Sequence, residues 1–152
     1  MSLVVRKRDR SRGQGLVEIA LVLPVFLLAL FGLIDVGRAI FAYNSVSEAA
    51  RNGARVAIVN QIPADICEVG ASRAVGLGLP TSCAATNSVG ITVSQGAGCS
   101  PMKLNCLMTV AAKYDFRAIT PVIAQILGPI RVASTSTVPV ESKCTSGSCP
   151  KP

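Results

Sequence analysis

Residues 12–34 read RGQGLVEIALVLPVFLLALFGLI, and this stretch decides the fold. From position 16 to position 34 the chain runs 19 residues with one charge, Glu18. A helix rises about 1.5 Å per residue, so this one extends roughly 28 Å, close to the hydrocarbon thickness of a bilayer. A carboxylate at the centre of such a run costs about 2.5–3.5 kcal/mol on insertion scales and less near an end, so Glu18 needs a functional explanation. Pro24 cannot donate to Ala20 and its ring crowds that carbonyl, which predicts a kink or interruption of the helix there.

Outward toward the N-terminus, Arg6, Lys7, Arg8, Arg10 and Arg12 precede Gly13. Residues 1–13 hold five of the 15 basic residues and only one of the eight acids, Asp9. The formal charge of +7 is therefore concentrated beside the apolar run. With no tryptophan and two tyrosines to stack bases, a nucleic-acid partner is not expected. The cluster reads instead as a positive-inside signal that holds the N-terminus in the cytoplasm and sends the C-terminus out. An ordinary cleaved signal peptide fits poorly. The apolar core exceeds its usual length, and Leu28-Ala29-Leu30 is a poor small-x-small site.

Outward toward the C-terminus the helical period continues. Val36, Ile40, Tyr43, Ser47, Ala50, Ala54 and Ala57 step by four and three, giving one apolar stripe that becomes small-sided distally. Asp35, Arg38, Glu48, Arg51 and Arg55 fall mainly off that stripe. One continuous helix is expected over about 15–59, loosened at Gly32 and Gly37 and ended by Asn60, Ile62 and Pro63. The division of the chain is then a basic leader over 1–13, a membrane-spanning and assembly helix over 14–60, and an exported domain over 61–152. Of the 152 residues, those beyond the helix suffice for one small domain.

Cys67, Cys83, Cys99, Cys106, Cys144 and Cys149 all lie beyond the span, where an even count in a small exported domain favours disulfides over free buried thiols. Six cysteines allow 15 connectivities. Cys99–Cys106 and Cys144–Cys149 are the favoured local closures, which leaves Cys67–Cys83. A helix is expected over 65–77 with Asp65 as its N-cap. Strands are expected over 91–94, 107–118 and 130–140, and a short helix over 122–127 closed by Gly128-Pro129. The fold class is α+β: a long N-terminal helix, membrane-spanning in its first half and amphipathic in its second, packed on a three-stranded antiparallel sheet.

Chemistry is sparse. The chain has no histidine for base or ligand work, no C-x-x-C pair, and Gly76-x-Gly78 and Gly96-x-Gly98 are turn glycines. Asp65, Glu68, Asp115 and Glu141 are scattered, as caps and solvated charges are. The expectation is a protein that is not an enzyme, with no metal, no cofactor and no small-molecule substrate.

A glycine before the apolar run with a glutamate five residues later resembles a type IV prepilin N-terminus. A closer resemblance is to the TadE-like pilus-assembly proteins of the tight-adherence (Flp-type) system. The residues that carry it are 12–20 (RGQGLVEIA), Leu23-Pro24, Phe31-Gly32, 35–38 (DVGR) and 49–55 (AARNGAR). Ile19 stands where that family often has phenylalanine. The resemblance implies that a membrane prepilin peptidase cuts after Gly13, leaving Gln14 as the new N-terminus and Glu18 at mature position five. In an assembled bundle Glu18 would meet the terminal amine of a neighbouring subunit. Its implied partners are membrane lipid, the prepilin peptidase, other pilin or pseudopilin subunits and Tad assembly-platform proteins. The implied function is a minor pseudopilin acting in pilus biogenesis, surface adhesion or secretion. Two alternatives stay open: an unprocessed, single-pass anchored binding or scaffold protein of adhesin type, and a major structural pilin. Major pilins of that system are usually much shorter, which favours the minor role.

Overall fold

The computed structural model describes residues 11–84, 88–100, 102–145 and 149. Arg6, Lys7, Arg8 and Arg10 of the expected leader lie outside the described residues. Helix α1, Ser11–Val59, is 49 residues long and carries Pro24 inside it without ending there. The expected interruption is thus not a break: leucine and alanine on both sides are strong helix formers, and one missing bond does not end a helix of this length. Past Val59, Asn60 N–H still donates to Val56 O at 2.8 Å, and Pro63 starts the next element.

Helix α2 spans Pro63–Arg73. Pro63 at its first position has a fixed φ and no N–H to leave unpaired, so the start falls before the aspartate rather than at it. Ile62 is the N-cap residue. Asp65, expected to cap the helix, sits in its first turn, where the helix dipole favours a carboxylate, and accepts from Asn60 Nδ2 at 2.8 Å. The helix also stops short of the expected Leu77, in turns closed by Ala74 N–H to Ala71 O and Leu77 N–H to Ala74 O.

Strands β1 (Gly90–Gln95), β2 (Leu107–Phe116) and β3 (Ile130–Pro139) form one antiparallel sheet in the order β1-β2-β3. A seven-residue helix, α3 (Pro121–Leu127), sits in the β2–β3 connection. The architecture is α+β, with the sheet laid on the distal half of α1. Along β2, Met108, Val110, Ala112 and Phe116 turn inward and are buried. The alternate positions face out, where Asp115 opposes Arg131 across the β2–β3 pair. Arg131 donates from Nε to Asp115 Oδ1 at 2.8 Å, and this guanidinium holds the Asp115 carboxyl below the usual range.

The core is built from small α1 side chains. Val46, Ala49, Ala50, Ala54, Val56 and Ala57 are buried against Ile66, Ile91, Met108 and Val110. Backbones approach closely there. A Cβ on Gly70 of α2 would stand 2.5 Å from Ile91 Cδ1 and 3.1 Å from Ala49 O, and one on Gly53 would stand 3.0 Å from Val110 Cγ1. The buried face of α1 is Asp35, Ala42, Val46, Ala49, Gly53 and Val56, continued by Asn60 just past the helix end, again in steps of three and four once half-buried Ala39 is counted. That is one residue rotated from the stripe expected from hydrophobicity. Ala50, Ala54 and Ala57 of the expected stripe are buried, but Val36, Ile40 and Tyr43 are more than half exposed. Size contributes: the sheet and α2 come near enough that the buried face is mostly alanine and glycine, with nothing larger than Val46 and Val56 among its apolar residues.

Disulfides join Cys67 to Cys83, Cys99 to Cys106 and Cys144 to Cys149. The segment after β3 returns to close the distal end of α1. Gln61 Nε2 donates to Ala57 O at 3.0 Å and to Ser142 O at 2.9 Å, while its Oε1 accepts from Cys144 N–H at 2.7 Å. Glu141 N–H donates to Ile58 O at 3.0 Å. Carbonyls left free at a helix end need such partners, and here the chain itself supplies them.

Candidate functional site

The candidate site is the proximal half of α1 and its junction with the head. Gly13 and Gln14 are exposed within α1, and a side chain on Gly13 or Gly15 would meet nothing within 4 Å. Glu18 lies four residues past Gln14, one turn along the same face, and is also exposed. Around it, Ile19, Val22, Leu23 and Phe26 make a shallow apolar hollow. From Leu16 to Ile34 the large side chains are exposed all round. This part of α1 is long and apolar enough to cross a membrane, with a mean hydropathy of 2.7 in its best window and none of that window buried in the fold.

One residue past the apolar run, Asp35 marks where α1 meets the head. It is 5% exposed and lies on the helix face that the head covers. Ile119 N–H donates to its Oδ1 at 3.0 Å and Thr120 N–H to its Oδ2 at 2.9 Å. Those two backbone donors, the Ile119 bond first, hold its carboxyl down at about 2. Arg38, one turn on, donates to Oδ1 at 3.3 Å and lies 5.5 Å from the centre of the Phe116 ring. The carboxylate therefore pins the end of the β2–β3 connection to α1. Sequence reading placed Asp35 off the buried stripe and gave it no role. The nearest signal was an acid directly after a long apolar run with an arginine three residues on. Its donors, backbone N–H groups 84 and 85 residues away, leave no trace in residue type.

Six sequence-predicted residues, the cysteines, are brought together in pairs within the head. Gly13, Gln14, Glu18 and Pro24 stay on the exposed half of α1, away from it. Among the described residues no group of three or more His, Cys, Asp or Glu side chains is placed to hold a metal ion.

Fold and site define a class: a small α+β head tied by disulfides and carried on a long N-terminal helix whose first half is exposed hydrocarbon. Residues 13–55 match the family model of TadE-like proteins, so this segment of the chain is similar to that family. The match opens at Gly13, takes in Glu18, Pro24, Asp35 and Gly53, and closes at Arg55, so most of the head lies outside it. No curated protein and no solved structure matches the chain.

Proposed function

We propose that this chain is a minor pseudopilin of a Tad-type pilus machinery in the bacterial cytoplasmic membrane. Residues 16–34 cross the bilayer, the basic N-terminus stays in the cytoplasm and the head stands outside. The observation that carries the reading is the coincidence of the TadE-like match, residues 13–55, with a helix whose apolar side chains are largely left open. Exposed hydrocarbon on this scale marks a surface meant for lipid or for other subunits. Prepilin peptidase removes residues 1–13, and Glu18 then compensates the new amine and unpaired N–H groups of a neighbouring helix start. The chain acts by insertion and association, without catalysis and without a cofactor. Whether it serves adhesion, secretion or filament priming follows from which pilus and platform proteins it meets.

Co-expression with a prepilin peptidase should shorten the protein by the 13 residues up to Gly13, and Gly13→Leu should block the shift. An intact Met1 in mature cell-surface material overturns the processing step. One observation favours the unprocessed anchor: the Gly13–Gln14 bond lies inside α1, which starts at Ser11, so cutting requires the helix start to unwind.

A further inference from the structure

We propose that the head makes its own contact with the bilayer, through α3 and the turns flanking it, which settle into the outer lipid interface beside the span. This rests on the reading of residues 16–34 as the span. The placement follows from packing. A Cβ on Gly32 would stand 3.7 Å from Ile123 Cδ1, so α3 lies against α1 at a residue inside the apolar run, not beyond it. The two hydrogen bonds to Asp35 fix the start of α3 at the same level. Wherever the end of the span sits in a membrane, α3 sits beside it.

The composition suits that level. The 13 residues 118–130, AITPVIAQILGPI, carry no charge. Ile119, Ile126, Leu127 and Ile130 are 68%, 77%, 59% and 44% exposed, the densest group of exposed large aliphatic side chains among the described residues of the head. Beside them a notch of about 390 Å³ is walled by Phe31 and Ile34 of the span and by Ile119 and Pro121 of the connection, so span and head share one apolar surface. Arginines flank it: Arg117 and Arg131 bracket the uncharged segment and Arg38 stands on α1 one turn past Asp35. Arg38 and Arg131 are each paired with an aspartate and still keep about half of their side chains exposed. An apolar patch rimmed by arginine suits acyl chains below and phosphate headgroups above. A second copy of the chain would need no such coincidence with the end of the span. The contact fixes how deep the span sits and which way the head faces around it, and it must be given up when a subunit leaves the membrane.

The chain has no tryptophan, so single reporters are clean. Ile126→Trp, Phe26→Trp and Leu104→Trp would each be placed in the full chain and reconstituted in phosphatidylethanolamine–phosphatidylglycerol vesicles. The vesicles carry phosphatidylcholine with a doxyl quencher at a shallow or a deep acyl position. Ile126→Trp should lose most of its emission to the shallow label and little to the deep one. Phe26→Trp should show the reverse, and Leu104→Trp, exposed near the distal end of α1, should lose none. Quenching of Phe26→Trp without quenching of Ile126→Trp overturns the contact and leaves the span standing. Blue-shifted but unquenched Ile126→Trp means that protein covers the patch, and also overturns it. Equal quenching of Leu104→Trp means that the head merely lies on lipid, against the proposal. Failure of Phe26→Trp to meet either label removes the span itself.

Discussion

Leu21 and Ala50 lie on one unbroken helix, yet Leu21 is 71% exposed and Ala50 is fully buried. The proximal half of α1 is leucine, valine and phenylalanine left open, and the distal half packs a face made mostly of alanine and glycine. The usual ranking, in which the largest apolar residues go inside, is inverted between the halves. What the difference teaches is that burial here follows backbone approach. Alanine and glycine let α2 and the sheet close on α1, with Val46 and Val56 the only larger apolar residues of the described helix buried there, while Ile40, Phe41 and Tyr43 are turned outward. The proximal side chains have no place in the fold and so must find their apolar surroundings in lipid or in other subunits.

If the distal half is organised for folding, the largest losses of head stability come from its supports. The Cys67–Cys83 disulfide ties buried Cys67 of α2 to the loop before β1 across a sequence separation of 16. Cys83→Ala should lower the stability of the head by about 3 kcal/mol by the chain-entropy model. Urea unfolding of the full chain in detergent, followed by circular dichroism, reads the change. A loss no larger than that of an exposed Ser→Ala control would mean that the α2 seam holds without the bridge.

The seam itself supplies the sharper contrast. Gly70→Ala should cost about 1–3 kcal/mol, because the new Cβ forces the buried tip of Ile91 to repack and crowds the Ala49 carbonyl, which is backbone. Gly15→Ala, where a Cβ meets nothing, should leave the head unchanged and favour the helix. The same unfolding measurement checks both. Equal effects of the two glycines would break the distinction between the halves.

Much of this was legible from residue type. The length of α1, its end near Asn60 and Pro63, the three strands and the short helix before Gly128 all follow from local pattern. The buried face of α1 did not. Hydrophobicity pointed to Val36, Ile40 and Tyr43, because a periodicity argument ranks by greasiness and cannot see how near the sheet will come. Gln61 was likewise opaque. Its three side-chain bonds reach back to Ala57 and across to the segment at Ser142 and Cys144, and a lone glutamine after a helix announces none of them. In the candidate site, Gly13 stands out because it separates the basic cluster from the apolar run, and Glu18 because it breaks that run. Asp35 does not, because its meaning lies in backbone donors brought from the far end of the chain.

Asp35, at the boundary of the two halves, should show a smaller effect that depends on pH. Its folded carboxyl sits at about 2, below the ordinary value of about 3.9. A depressed value stabilises the fold above the unfolded pKa, and that stability is lost as pH falls through the folded one. Thermal unfolding in detergent should therefore drop between about pH 4 and pH 2, and more steeply in the wild type than in Asp35→Asn. The comparison is needed because Asp115, also held low by Arg131, titrates in the same direction. Parallel curves would mean that Asp35 does not hold the connection to α1 through its charge.

The smallest effect on the head is expected from Glu18→Leu, and there its absence is informative. Glu18 is exposed and lies far along α1 from every residue of the core, so unfolding of the head should not change. Removing an acid from an apolar run also lowers the cost of insertion, so membrane-fraction yields should hold or rise. What should fall is association, since the neighbouring amine loses its counter-charge in a medium where a lone charge is costly. Crosslinking in membranes and recovery of sheared surface filaments would read it. A variant that inserts, folds and assembles at wild-type levels would reduce Glu18 to an interfacial charge and remove its pairing role with the neighbouring amine.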